Sequence, residues 1–185
     1  MKKASNVKKV VMVGTFSAIA FVLQMLGSMM GLKVGGFLEI ELSDLPALVI
    51  TFAYGPVSGI LVELFKNLLH CAFSSTGFVG ELANFVINGT FVGVAGAIYK
   101  CHKTFKGAII SLIAATLSMS LAGIFANLYI MLPLYMPKAP MAIKMNLVLA
   151  TILPFNIAKG TAISVITMLI YKKISPILKF SGKKS

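Results

Sequence analysis

Residues 10–30 read VVMVGTFSAIAFVLQMLGSMM, an uncharged run of 21. A helix needs about 20 apolar residues to cross ~30 Å of hydrocarbon, so this run is expected to span a membrane. It follows Lys2, Lys3, Lys8 and Lys9, a pattern shared with secretory signals. The apolar core of a signal is about 7–15 residues; the longer run here predicts a retained helix. The whole chain points the same way. Of its 185 residues 58% are hydrophobic and 12% charged, and the mean hydropathy is +0.93. A soluble domain carries about 25% charged residues, and no compact domain of this size has an interior able to hide so much apolar surface. Disorder needs low hydrophobicity and is excluded. Two cysteines make no disulfide scaffold.

Outward from that run, hydropathy divides the rest of the chain. Residues 31–43 hold three glycines and the stretch Phe37-Leu38-Glu39-Ile40-Glu41-Leu42, whose period-two alternation predicts an extended first loop. Ser43 or Asp44 can cap a short helix with Pro46 in its first turn, reaching about Tyr54. Gly55-Pro56 breaks it from a third helix over 56–73. A polar turn, 74–80, leads to a fourth helix over 81–99. A basic loop, 100–106, leads to a fifth over 107–132. Pro133, Pro137 and Pro140 punctuate the next loop, and a sixth helix ends at Tyr171, with Pro154 either kinking or opening it. No repeat, low-complexity tract or linker interrupts the chain, so residues 1–185 are expected to form one domain: an all-α membrane protein of six transmembrane helices.

Charge placement gives the orientation. The chain has 17 lysines, no arginine and five acids, for a net +12. With six spans both termini share one side. Twelve of the lysines then fall on it: the four near the N-terminus, Lys100, Lys103 and Lys106, and Lys172, Lys173, Lys179, Lys183 and Lys184. The opposite face receives Lys33, Lys138 and Lys144. The positive-inside rule makes the lysine-rich face, with both termini, cytoplasmic. Lysines scattered over short loops without interleaved aromatics do not suit nucleic acid.

Polar groups inside membrane spans face the protein interior and often mark function. In the third helix Glu63, Lys66, Asn67 and His70 share one face, and Glu63 with Lys66 can neutralise each other at i,i+3. Glu81, Asn84 and Asn88 share a face of the fourth, Asn127 lies near the outer end of the fifth, and Asn156 and Lys159 share a face of the sixth. Asp44 and Glu81 are expected to stabilise helix N-termini; Glu39 and Glu41 fit a solvated loop edge. The amides of Asn84, Asn88, Asn127 and Asn156 each offer a donor and an acceptor, a set suited to a neutral ligand with carbonyls and hydroxyls. Lys159 has no acid on its own helix, so its acceptor must be a ligand carbonyl, an amide such as Asn127, or Glu63 or Glu81. Gly14 and Ala18 form a small-x-x-x-small pair that lets another helix approach closely, a pattern extended by Ala20.

Some chemistry is missing. No G-x-x-x-x-G-K-[ST] loop occurs, so the chain does not hydrolyse ATP by itself. No G-x-S-x-G or H-E-x-x-H motif occurs. His70 and His102 map to opposite sides of the membrane, as do Cys71 and Cys101, which removes a shared metal site. Glu63 with His70 is the one pair that would serve either a stand-alone proton-coupled carrier or an intramembrane hydrolase.

Five segments carry a resemblance. Glu41-Leu42-Ser43-Asp44-Leu45-Pro46-Ala47-Leu48, Gly55-Pro56-Val57-Ser58-Gly59, Val62-Glu63-Leu64-Phe65-Lys66-Asn67-Leu68-Leu69-His70, Gly80-Glu81-Leu82-Ala83-Asn84-Phe85 and Pro154-Phe155-Asn156-Ile157-Ala158-Lys159-Gly160 are similar to the S components of energy-coupling factor (ECF) transporters, with the riboflavin-specific branch nearest. The resemblance covers the chain from the first helix to Lys173. It implies a non-enzymatic vitamin-binding subunit of the prokaryotic plasma membrane, without a cofactor, that holds riboflavin, or FMN, as its substrate. It places the vitamin near the extracellular side, within reach of Glu39, Glu41, Asn84, Asn88, Asn127, Asn156 and Lys159. It implies an energy-coupling module of a membrane coupling protein and two ATPase subunits. That family's Ala-x-x-x-Ala motif on the first helix touches the coupling protein; Gly14 stands here in place of the first alanine, with Ala18 as the second.

Overall fold

The computed structural model describes residues 2–30, 33–34, 38–39, 42–74 and 77–182, with backbone alone for 2–5, 33–34, 38–39, 77 and 172–182. The first helix, α1, is Lys2–Met30. Strands β1, Lys33–Val34, and β2, Leu38–Glu39, pair antiparallel, Lys33 opposite Glu39; the expected extended loop is a minimal ribbon. Helices α2, Asp44–Tyr54, α3, Pro56–His70, and α4, Gly77–Cys101, follow. Helix α5 runs as Phe105–Ala126, passes through a π-helical turn at Asn127–Met131 and ends as Leu132–Tyr135. Helix α6 starts as Met141–Leu147, takes a second π turn at Val148–Ile152 and continues as Leu153–Gly182.

The bundle is apolar outside, and its apolar core encloses buried polar groups. Ile110, Ile113, Leu117, Leu121 and Phe125 stand exposed along α5, while Glu63 and Lys66 are fully buried. That distribution suits a hydrocarbon solvent. Among the described residues four segments are long and apolar enough to cross a membrane: Asn6–Met30, Phe78–Cys101, Phe105–Tyr135 and Met141–Tyr171. Helices α2 and α3, of 11 and 15 residues, measure only about 16 and 22 Å at 1.5 Å per residue. Six helices are present among the described residues; α2 has the short length that the sequence gives it, and α3 is shorter than the expected 56–73.

The shortest helix sits at the centre. α2 packs on α1, α3, α4 and α6, and Ala47, Leu48, Ile50, Thr51 and Phe52 are all buried. Gly55 turns the chain sharply between α2 and α3, at φ 93°, a backbone conformation that a side chain resists; its N–H closes on the Thr51 carbonyl at 2.8 Å. Thr51 then nests between two glycines. A Cβ on Gly59 would lie 1.7 Å from Thr51 Oγ1, and one on Gly96 2.5 Å from Thr51 Cγ2 and 2.8 Å from Pro56 Cα. Those two hydrogens in place of side chains bring α3 and α4 onto the α2–α3 corner.

Three helix bounds depart from the expectation. α4 begins at Gly77, a turn before Glu81, so Glu81 is not at its N-terminus. α5 does not stop before Pro133. α6 begins well before Pro154, so of the two readings left open for that proline it does not open the helix. Both prolines occupy the second position after a π turn. A proline inside an α-helix lacks a donor and its ring strikes the carbonyl four residues back; the wider i→i+5 turn moves that carbonyl aside. The helices therefore absorb a proline that the sequence reads as part of a loop, Pro133, and one that it reads as a kink or a start, Pro154. α3 ends at His70, with 71–73 in a turn, short of the expected Phe73.

The lysine-rich segments gather at one end. Tyr99 Oη and Tyr171 Oη lie 2.8 Å apart, and the Phe105 ring packs edge-on against Tyr171 at 5.8 Å. The 100–106 loop and the chain after Tyr171 are thus neighbours. The C-terminal half of α1 contacts residues at the far ends of α3 and α4 (below), so its N-terminus lies toward the same lysine-bearing end.

Gly96→Leu should force α4 off the Thr51–Pro56 corner and lower the melting temperature of the detergent-solubilised protein, by roughly 1–3 kcal/mol or more as for overpacked cores. Gly14→Ala, with open space around its Cβ position, should leave the melting temperature unchanged in the same assay.

Candidate functional site

At the end of the bundle opposite Tyr99 and Tyr171, side chains from α1, α2, α3, α4 and α6 converge in two connected sets of buried polar groups. The first centres on Asp44, fully buried in the first turn of α2. Its Oδ1 receives Lys66 Nζ at 2.8 Å, and its Oδ2 faces Lys159 Nζ at 3.1 Å. Lys66 Nζ also meets Glu63 Oε2 at 2.7 Å and donates to Ser43 Oγ at 3.0 Å. Two acids and two lysines form one quartet spanning α2, α3 and α6. The expected Glu63–Lys66 pair is present. Ser43 makes no capping bond through its side chain; it is a ligand of Lys66 instead. Asp44 does lie at a helix N-terminus, but its main task is to bridge two ammonium groups. Lys159 therefore finds its acceptor in Asp44, a residue absent from the set of candidates offered by the sequence.

The second set ties α1 to α3 and α4. His70 Nδ1 lies 2.9 Å from Glu81 Oε1. Gln24 Nε2 donates to Glu81 Oε2 at 3.2 Å, and Ser28 Oγ lies 3.3 Å from His70 Nε2. With Nδ1–H donating to the carboxylate, Nε2 accepts from the serine. Glu81 is thus a buried hydrogen-bond hub in the second turn of α4, not a helix-terminal charge; burial without partners would be costly, and His70 and Gln24 supply them. Glu63 is committed to Lys66 and His70 to Glu81, so the pair proposed for proton or hydrolytic chemistry is divided between two sets of partners. Gln24 and Ser28 were not singled out in the sequence. Gln24 had a signal: it carries the longest polar side chain within the uncharged 10–30 run.

The amides occupy two further places. On α4, Asn88 Nδ2 donates to Asn84 Oδ1, and Asn88 is buried with its own Oδ1 lacking a hydrogen-bond partner. Asn127 opens the π turn of α5 and donates to the Gly123 carbonyl at 2.8 Å. Asn156 donates to the carbonyl of Ile152, the last residue of the α6 π turn, at 3.0 Å. A Cβ on Gly123 would come within 2.3 Å of Asn156 Nδ2, so both amides meet at one glycine on the α5–α6 seam. The two π turns also form a separate apolar cluster, Leu128, Leu132, Val148 and Ile152, with Met136 and Met145 packed against it. π turns occur often at functional sites because they re-aim side chains. Here they set two amides beside an apolar surface. Glu41 lies outside the described residues; Glu39 has its backbone in β2, and its side chain lies outside them too.

On α1, Gly14 and Ala18 are exposed, whereas Val13, Ser17 and Ala20 are buried. The small-residue face is therefore turned outward, and Ala20 does not belong to it.

The family profile described as ECF transporter, substrate-specific component matches residues 8–171. The chain is similar to the riboflavin transporter RibU of Staphylococcus aureus, 38% identical over 176 residues and 93% of each chain. It is also similar to the riboflavin transporter FmnP of Bacillus subtilis, 36% identical over 180 residues, covering 92% of this chain and 94% of that one. A solved S component of a bacterial ECF transporter superposes with a TM-score of 0.80 at 36% identity, over 94% of this chain and 99% of the other.

Asp44→Leu should take from Lys159 its acid and leave Lys66 with Glu63 as its acid. Breaking a buried ion pair costs about 3–5 kcal/mol, so the ligand-free protein should melt far lower or fail to accumulate. Lys159→Met leaves Asp44 its contact with Lys66 and should melt markedly closer to wild type. Thermal unfolding of both variants without ligand checks the order; equal losses would contradict the central place given to Asp44.

Proposed function

We propose that this chain, which belongs to the family of ECF transporter substrate-specific components, binds riboflavin and passes it into the cell as the vitamin-recognising subunit of an uptake transporter. As a member of that family it is a transport protein of the membrane and not an enzyme. The observation that carries the reading is the meeting of two amides at Gly123 beside a buried apolar cluster, where α5 and α6 take their π turns, in a chain whose relatives are riboflavin transporters. The flavin ring is flat and apolar and carries a dione edge. Leu128, Leu132, Val148 and Ile152 supply walls; Asn127, Asn156 and Lys159 supply the donors and acceptors for the dione. Asn84, Asn88 and the loop with Glu39 and Glu41 would meet the ribityl hydroxyls. The unpaired Oδ1 of Asn88 is an acceptor suited to one of them. FMN is the alternative cargo, its phosphate within the reach of Lys33, Lys138 or Lys144.

The six helices would all lie across or within the cell membrane, with both termini cytoplasmic, because the lysine-bearing end is the one held inside. The ligand end then faces outward. Energy would come from a coupling module, a membrane protein with two ATPase subunits, since this chain carries no ATP-binding loop. The exposed Gly14 and Ala18 give that module a surface where a helix can pack closely.

Lys159→Met keeps the apolar stem and removes the charged donor. A hydrogen bond involving a charged group is worth about 1.5–3 kcal/mol, so riboflavin should bind on the order of 10- to 150-fold more weakly by fluorescence quenching. Affinity equal to wild type would remove Lys159 from the site, and a wild-type protein that leaves flavin fluorescence unchanged would overturn the reading. FMN in the same titration ranks the two cargoes.

Gly14→Leu with Ala18→Leu should abolish riboflavin uptake in cells carrying the coupling module. Riboflavin affinity of the isolated double variant should stay within about twofold of wild type, because neither side chain touches the buried polar sets. Lost affinity would make the face structural.

A further inference from the structure

A groove of about 730 Å³ runs along the outer surface between α5 and α6. Its ends are marked by Phe105 and Leu169 at the lysine-bearing end and by Leu117 and Ile157 near the middle of the bundle; Thr116 and Ser164, 3.4 Å apart, lie in its floor. It flanks the seam where Gly160 admits Thr116: a Cβ there would stand 2.9 Å from Thr116 Cγ2. From Phe105 to Leu117 the groove follows α5 for about 18 Å at 1.5 Å per residue. Half the hydrocarbon of a bilayer is about 15 Å. The groove therefore matches the depth of one leaflet. It begins at the headgroup level, beside Phe105, and stops near the midplane.

Charge marks the same end. Lys103 and Lys106, both exposed, flank Phe105 in sequence, and Lys172 and Lys173 follow Tyr171, whose ring packs on Phe105. The acids of the chain are Glu39, Glu41, Asp44, Glu63 and Glu81, so none lies in sequence near this mouth. Basic pockets between helices at the cytoplasmic surface select anionic headgroups.

From these features we propose that the α5–α6 groove is a site for one anionic phospholipid, its acyl chain lying between Phe105 and Leu117 and its phosphate held at Lys103 and Lys106. The proposal rests on the membrane reading of the helices and not on the identity of the cargo. Bound there, the lipid fills the groove and covers the hydroxyls of its floor.

The test uses full-length protein in detergent, stripped of lipid and titrated with dioleoylphosphatidylglycerol or dioleoylphosphatidylcholine, with retained lipid counted by native mass spectrometry. Wild type should retain one phosphatidylglycerol at least about tenfold more tightly than phosphatidylcholine. Lys103→Gln and Lys106→Gln should each reduce that preference about fivefold, the worth of one lysine near an anionic surface. Thr161→Phe, which places a ring in the groove from an exposed position, should abolish retention of both lipids. Equal retention of the two lipids by wild type, or unchanged retention by Thr161→Phe, overturns the assignment. So does a Thr161→Phe protein that keeps its lipid but no longer co-purifies with the coupling module, which would make the groove a seat for a partner helix. Riboflavin titration of the same samples reports on the cargo separately: binding there with no lipid preference sinks this proposal alone.

Discussion

One carboxylate holds three helices together. Asp44 stands in the first turn of the shortest helix of the bundle and offers one oxygen to Lys66 of α3 and the other to Lys159 of α6. α2 is too short to be fixed by its fit to a bilayer, yet it contacts four other helices. Its position has to come from inside. A charge buried without partners costs several kcal/mol, so any slip of α2, α3 or α6 that separates Asp44 from a lysine is opposed strongly. Glu63 and Ser43 complete the arrangement by taking up the remaining capacity of Lys66. The amide site at the π turns depends on this, because Lys159 and Asn156 share one face of α6, and the helix that carries them is fixed through Asp44.

Much of this was legible in the sequence. Hydropathy placed helices, the glycine-proline step placed the α2–α3 corner, and i,i+3 spacing placed Glu63 beside Lys66. Local rules reach such features because their partners are near in sequence. Lys159 and Asp44 are 115 residues apart in sequence, and no periodicity links them. The acid at a helix start had a sufficient local explanation, which concealed the longer one. Glu81 failed for a related reason: with the helix start misplaced by four residues, a buried hub looked like a terminal charge. Gln24 was the reverse case, since a polar amide within an apolar run was a visible signal that charge-counting passed over.

The prolines show a limit of a different kind. Pro133 read as part of a loop and Pro154 as either a kink or a start of a helix, and each follows a π turn that takes up its ring and its missing donor. Such a turn inserts one residue into a helix without a compositional mark of its own. It rotates everything beyond it relative to what came before. Faces assigned by a strict 3.6-residue count on α5 and α6 are therefore correct on one side of the turn and offset on the other. Asn127 and Asn156 lie at those offsets, so sequence could nominate the amides but not say that both would meet at Gly123.

The quartet has an electrical consequence. Asp44, Glu63, Lys66 and Lys159 bring two acids and two lysines within a few ångströms of one another. Moving one elementary charge through a membrane potential takes about 2.3 kcal/mol per 100 mV. To the extent that acids offset ammonium charge within a group, moving that group along the field without turning it takes less work. Two lysines left without their acids would make the same displacement energetically dependent on the state of the cell; paired as they are, their acids reduce the charge that this end of the bundle carries in the membrane field.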